Sequence, residues 1–253
     1  MTTPEVPTTP LERRRSWLIN IIGTIESKIL IGIMFFSMLF WALSWLVGSS
    51  DTVTGFDKMV MGAIYENVDA EPFGSNILGS AAQDITALGG VPLIVLATIL
   101  GMLWVAGHRD KAGAYFLLAV VIGGTILMIV LKEVFERDRP DVAASYLDVT
   151  SYSYPSGHSM LSAFYPAVAI VFLRQEEVPR LHRLYLYVAI GLSLLIGISR
   201  VILGAHYPTD VLAGWAVGFG WVGICRATLG FFEKDNEQIE LEEVLPENVD
   251  VKV

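Results

Sequence analysis

Apolar residues in this chain gather into long runs instead of alternating with polar ones. Six such runs, at residues 28–47, 88–107, 112–131, 156–173, 184–203 and 208–229, are separated by more polar stretches, short ones apart from the long segment after the first run. A helix advances about 1.5 Å per residue, so crossing about 30 Å of hydrocarbon takes about 20 apolar residues. The pattern therefore predicts an all-α fold, a polytopic six-helix transmembrane bundle. Two weaker patterns flank it. Residues from Trp17 to Glu26 are amphipathic, and from Phe56 to Val68 apolar and polar residues follow one another at helical spacing, as in a helix lying at the membrane interface.

Composition agrees with the pattern. Of the 253 residues, 53% are hydrophobic and 17% charged, too apolar for a solvated surface. The formal charge of -9 suggests a feature of the whole molecule until it is located. From Phe231 onward, eight carboxylates (Glu233, Asp235, Glu237, Glu240, Glu242, Glu243, Glu247 and Asp250) stand against Lys234 and Lys252, which puts most of the imbalance in one terminal stretch. This divides the chain into a cytoplasmic arm with its amphipathic stretch (1–27), a membrane domain (28–230) and an acidic, disordered cytoplasmic tail (231–253). Nothing in the composition suggests nucleic acid as a partner. The single cysteine, Cys225, lies in an apolar run and forms no internal disulfide.

Basic residues near helix ends orient a membrane protein, because Lys and Arg favour the cytoplasmic side. Arg13, Arg14 and Arg15 place the N-terminus inside, and the first residues lack the apolar core and cleavage site of a signal peptide. Alternation then puts Arg109 and Lys111 inside, along with Arg174, Arg180 and Arg183, and returns the C-terminus to the cytoplasm. The long segment from Gly48 to Leu88 falls outside with Lys58 as its single basic residue. Lys132, Arg137, Arg139 and Arg200 are then basic residues on the outer side, against the rule, and call for another explanation.

Three polar patches supply one. They are Lys132–Pro140 at the end of the third run, Pro155-Ser156-Gly157-His158 at the start of the fourth, and Ser199–Asp210 between the fifth and sixth. The topology brings all three to one membrane face. Lys132, Arg139 and Arg200 add three positive charges, and guanidinium groups make paired hydrogen bonds to phosphate oxygens. Ser156 and Gly157 stand where backbone N–H groups at a helix start face an anion. His158 and His206 supply two imidazoles, enough for a nucleophile and a proton donor. Asp210, four residues after His206, reads either as the group that orients that imidazole or, if the helix starts at Pro208, as a favourable first-turn carboxylate.

The pattern K-x6-R-P, P-S-G-H and S-R-x5-H-x3-D, filled at every position from Lys132 to Asp210, resembles the signature of the type 2 phosphatidic acid phosphatase superfamily, integral-membrane branch. That resemblance implies a metal-independent phosphatase with no cofactor. His206 would attack phosphorus and form a phosphohistidine, with Asp210 holding the imidazole and His158 protonating the leaving oxygen. Lys132, Arg139 and Arg200 would bind the phosphoryl oxygens, and Ser156 with the Gly157 amide would stabilise the transition state. The expected substrate is a membrane lipid phosphate or pyrophosphate: an undecaprenyl pyrophosphate, favoured slightly for the outward site, a phosphatidate, a phosphatidylglycerophosphate or a lipid A type.

Other readings compete at particular residues. Arg137 reads equally as a headgroup contact and as a solvated loop charge. Asp138, Asp141 and Asp148 raise a magnesium-assisted reaction, which three nearby cations make unnecessary. Tyr152 and Tyr154 read as entrance residues or as interfacial anchors. Gly214 and Gly218 read first as a close-packing surface and second as a homodimer face. A non-catalytic lipid transporter on the same fold would show a degenerate signature. An enzyme for a water-soluble phosphate ester would show an intact one.

Overall fold

A computed structural model describes the backbone of residues 10–49, 54–65, 77–141, 151–173 and 179–244. Every regular element among them is helical: α1 (Pro10–Ser49), α2 (Gly55–Tyr65), α3 (Ile77–Ala87), α4 (Val91–Gly107), α5 (Lys111–Leu118), a π-helical turn (Ala119–Gly123), α6 (Gly124–Phe135), α7 (Gly157–Ser162), α8 (Phe164–Leu173), α9 (Pro179–Ile202) and α10 (Pro208–Val244). The all-α expectation holds, and each predicted apolar run is mostly helical.

The count of six crossings is not confirmed. Four stretches are long and apolar enough to span: Lys28–Gly48, Lys111–Phe135, Leu184–Ile202 and Pro208–Leu229. A fifth, Ile77–Leu88 with Val91–Gly107, is bent by 42°. The bend falls at Gly89-Gly90, and Pro92 stands in the first turn of α4, where its missing N–H costs nothing. The run at 156–173 forms the shorter pair α7 and α8, below the length of a full span. Large apolar side chains such as Met38, Trp41, Trp45 and Leu103 stay more than 60% exposed, as a hydrocarbon solvent permits and water would not.

Helix extends into both terminal segments. The backbone is already helical from Pro10 and remains so to Val244, because residues 11–22 and 231–244 contain no Gly or Pro and continue helices that are already nucleated. Residues 1–9 and 245–253 lie outside the described residues. The helix expected at 56–68 forms as α2; its last three residues, 66–68, also lie outside.

The core has two parts. The larger joins Ile94 and Val105 of α4, Phe116, Leu117 and Val120, Phe164, Ala167 and Val171 of α8, and Val222, Cys225 and Leu229 of α10. The smaller lies directly under the polar patches and joins Leu43 and Val47 of α1 to Tyr154 and Ala213, with Phe40 and Phe135 against them. Tyr154 is fully buried and bonds Ser44 Oγ through its hydroxyl at 2.9 Å, so it is neither an entrance residue nor an interfacial anchor.

Helix α10 runs through the centre, packed on α1, α2, α7 and α9. Its contact with α7 is backbone-close: a Cβ on Gly214 would stand 2.6 Å from the Ser156 carbonyl oxygen, and one on Gly218 would stand 2.4 Å from that of Met160. The glycine spacing therefore serves packing within the chain, and α7 is held against the start of α10. Gly218→Ala is expected to lower stability by about 1–3 kcal/mol through this overpacking. Thermal unfolding in detergent measures it, and an unchanged transition would contradict the contact.

Candidate active site

Four chain segments deliver the three patches to one place. Helix α6 ends at Glu136, whose backbone is left-handed (φ 43°, ψ 33°) and whose N–H closes the last turn on the Lys132 carbonyl at 3.0 Å. Beyond it burial alternates: Arg137 is buried, Asp138 exposed and Arg139 half-buried. Residues 151–156 run alongside it, with Ser153 N–H donating to the Arg137 carbonyl at 2.7 Å. The same stretch reaches α10 through Ser156 N–H, which donates to the Asp210 carbonyl at 2.9 Å. The Ser156 amide is thus already engaged, which corrects the idea that it faces an anion. Its buried hydroxyl accepts from Ser159 Oγ at 3.1 Å and retains its own proton to donate. Gly157 opens α7, where an N–H has no acceptor within the helix, and a Cβ there would meet Met128 Sδ at 2.7 Å.

His206 sits in the turn between α9 and α10, 2% exposed. Its two nitrogens face opposite partners. Nδ1 lies 3.5 Å from Asp210 Oδ2 and from Ser153 Oγ, and Nε2 lies 3.2 Å from Arg139 Nη1. A carboxylate accepts and a guanidinium donates, so the partners assign the proton to Nδ1 and a lone pair to Nε2. Burial pushes the imidazole down to about 3, with Arg139 and Arg200 adding to the effect and Asp210 opposing it. The ring is neutral near pH 7, as a nitrogen nucleophile must be.

Asp210 satisfies both of its sequence readings. Helix α10 does begin at Pro208, and Asp210 Oδ2 reaches back to the Tyr207 N–H at 2.9 Å, as a third-position carboxylate does in a capping box. The same carboxylate is fully buried, faces His206 Nδ1, accepts from Ser153 Oγ and is paired with Arg137 Nη1.

Arg137 is neither a headgroup contact nor a solvated charge. It is 4% exposed, its Nη1 donates to Asp210 and to Thr209 Oγ1 (2.8 Å), and its Nη2 donates to Asp57 Oδ2 (2.8 Å). Its carbon Cζ lies 4.4 Å from the centre of the Tyr207 ring. Burial acts against its charge, but Asp210 and Asp57 outweigh burial and raise its pKa. Two buried anions are more than a solvated loop would offer, and they draw the guanidinium inward.

The other cations gather around Arg139, which faces Nε2 of His206. Arg139 donates to the Ala205 carbonyl at 2.9 Å and the Ser151 carbonyl at 2.8 Å as well as to His206 Nε2. Lys132 Nζ donates to the Tyr152 carbonyl. Arg200, at the end of α9, donates to Thr86 Oγ1 at 3.0 Å, while its Nε is buried with no acceptor among the described residues. A buried guanidinium N–H left without an acceptor costs free energy that a bound oxyanion would recover. The bend between α3 and α4 forms one wall: a Cβ on Gly89 would stand 3.2 Å from His158 Cδ2. Lys132, Arg137, Arg139 and Arg200, the exceptions to the charge rule, thus all belong to this one cluster. Asp57, Thr86, Ser153 and Thr209 join it without having been singled out in the sequence, and Asp148 lies outside the described residues.

The chain is similar to known proteins in sequence and fold. Residues 112–233 fit the model of the PAP2 superfamily. A phosphatidylglycerophosphatase B of Bacillus subtilis is 37% identical over 147 residues, 56% of this chain and 70% of its own length. A lipid A 1-phosphatase of Rhizobium etli is 37% identical over 125 residues, but the match spans only 49% of its length. The crystal structure of a transmembrane PAP2-type phosphatidylglycerolphosphate phosphatase from Bacillus subtilis superposes on 80% of this chain and 96% of its own, with a TM-score of 0.66 at 29% identity. The family match, the relative covered over 70% of its length and the shared helical fold carry the assignment: the chain belongs to the PAP2 superfamily, among its membrane phosphatases.

Proposed function

We propose that this membrane phosphatase hydrolyses a lipid phosphate by two displacements at phosphorus, through a phosphohistidine on His206. The observation that carries the reading is the division of His206, with Nδ1 against Asp210 and Nε2 against a phosphate-binding guanidinium. In the first step the Nε2 lone pair forms a bond to phosphorus and the bond to the leaving oxygen breaks; His158, which burial and the charges of Arg200, Arg139 and Lys132 hold down to about 4, takes up a proton with the phosphate that neutralises those cations and gives it to that oxygen. In the second step water attacks the phosphohistidine, His158 takes a proton from it, and the bond to Nε2 breaks to release phosphate and restore the neutral ring. Lys132, Arg139 and Arg200 bind the equatorial oxygens, where fixed donors act on charge that develops in the transition state. Asp210 keeps the proton on Nδ1 and balances the charge that the ring acquires on phosphorylation.

The site opens on the extracytoplasmic face in this reading, with both termini in the cytoplasm. The basic residues near the helix ends support it, now that the exceptions have a chemical role. For the substrate, similarity to the Bacillus phosphatidylglycerophosphatase over most of its length favours a phosphatidylglycerophosphate over the prenyl pyrophosphate that an outward site alone suggests.

The test is phosphate release by one purified preparation from phosphatidylglycerophosphate, phosphatidate, undecaprenyl pyrophosphate, a lipid A 1-phosphate and a short soluble ester. The expected order puts phosphatidylglycerophosphate first in kcat/KM, with activity retained in chelator. Preference for the soluble ester would overturn the lipid assignment, and loss of activity in chelator the metal-free mechanism.

A further inference from the structure

Asp57 lies outside every signature segment, on the helix that pattern alone places at the interface, yet it is fully buried beneath the catalytic turn. We propose that α2 belongs to the catalytic apparatus, with Asp57 a positioning residue that sets the His206–Asp210 pair through Arg137 and Thr209.

The contacts run in one direction. Asp57 Oδ2 accepts from Arg137 Nη2 (2.8 Å), Thr209 Oγ1 (2.8 Å) and Thr54 Oγ1 (2.9 Å), and Oδ1 accepts from the Thr209 N–H (3.0 Å). Thr209 is in the first turn of α10, next to Asp210 and three residues from His206. The far end of α2 is also tied down, since the Tyr65 hydroxyl donates to the carbonyls of Ile202 (2.9 Å) and Val201 (3.3 Å) at the end of α9. Helix α2 thus clasps both flanks of the turn that carries the nucleophile.

Local capping does not account for this. Asp57 N–H bonds Thr54 Oγ1 at 3.0 Å, so Thr54 caps α2 and Asp57 stands at the third position, where an exposed carboxylate serves as well. Full burial of a charge is costly unless it is paired, and here its partner is the guanidinium that also holds Asp210. Sharing matters for the chemistry. With one cation between two carboxylates, Arg137 orients Asp210 without cancelling its charge, and Asp210 can still accept from Nδ1–H and stabilise positive charge on the phosphorylated ring.

The inference rests on the proposed phosphatase mechanism, and its test separates the two. Asp57→Asn keeps the shape and removes the charge, and Thr209→Val removes the hydroxyl that Asp57 and Arg137 both use. For each purified variant, kcat and KM for phosphatidylglycerophosphate in micelles and inhibition by vanadate, a mimic of five-coordinate phosphorus, are measured beside His206→Ala. The expected result is a fall in kcat of about 10- to 100-fold with KM within about twofold, and a vanadate inhibition constant that rises in step with the loss of kcat. A kcat within twofold of wild type, or a loss confined to KM, overturns the role of Asp57. If Asp57→Asn fails to fold, Thr209→Val decides by the same criteria. Full activity in His206→Ala would instead overturn the mechanism on which the inference rests.

Discussion

Replacing His206 with alanine is expected to reduce phosphate release at least about 1,000-fold while the protein remains folded. Its nitrogens are divided between the Asp210 carboxylate and the Arg139 guanidinium, an arrangement shared by no other imidazole among the described residues, so no neighbouring group can take its place. Its removal leaves Asp210 still bonded to Ser153, Tyr207 and Arg137, which preserves the turn. Acid-labile radiolabel from a phosphorylated lipid should appear on wild-type protein under rapid quench and be missing from the variant. Near-normal turnover by His206→Ala would sink the covalent mechanism outright, whereas normal turnover by His158→Ala would remove only the assigned proton donor.

Replacing Arg137 with alanine should do to the fold what the first substitution does to the chemistry. The guanidinium stands between Asp57 and Asp210, both fully buried. Without it, two carboxylates face each other with no cation, and breaking a buried pair in this way costs about 3–5 kcal/mol. Arg137→Lys is expected to recover only part of the loss, because an ammonium is a point charge and cannot span two carboxylates in one plane. Adding Asp57→Asn to Arg137→Ala should restore some stability by removing one of the stranded charges. Thermal unfolding in a single detergent compares all four proteins. An unfolding temperature of Arg137→Ala equal to wild type would mean that the pair contributes nothing.

Much of the site was legible because its chemistry is written in unusual residues. Charge is expensive beside hydrocarbon, so Lys132, Arg139 and Arg200 near the ends of apolar runs had to have a purpose. Two histidines at helix ends supplied the rest. Arg137 was harder. From sequence it stood two residues before Arg139 and was open to headgroup or solvent; what drew it inward was Asp57, 80 positions away. Asp57 itself carried a local signal, the Thr54-Gly-Phe-Asp57 capping pattern, which accounts for a helix start and gives no hint of a partner across the fold. Ser153, Thr86 and Thr209 are ordinary hydroxyl residues whose roles depend on what stands opposite them.

The helices show the same division. Runs of about 20 apolar residues specify their own helices, because in a bilayer each backbone N–H must find its acceptor within the segment. The bend at Gly89-Gly90 and the short α7–α8 pair were hidden within runs that read as uniform spans. Both the membrane-helix class and the basic and histidine residues that form the cluster were legible in the sequence by itself, since they depend on solvation costs and side-chain chemistry that travel with each residue. Only the tertiary structure decided which nitrogen of His206 is free, that Arg137 serves Asp210, and that α2 reaches the catalytic turn. Those depend on distances between segments far apart along the chain, and no local pattern encodes a distance.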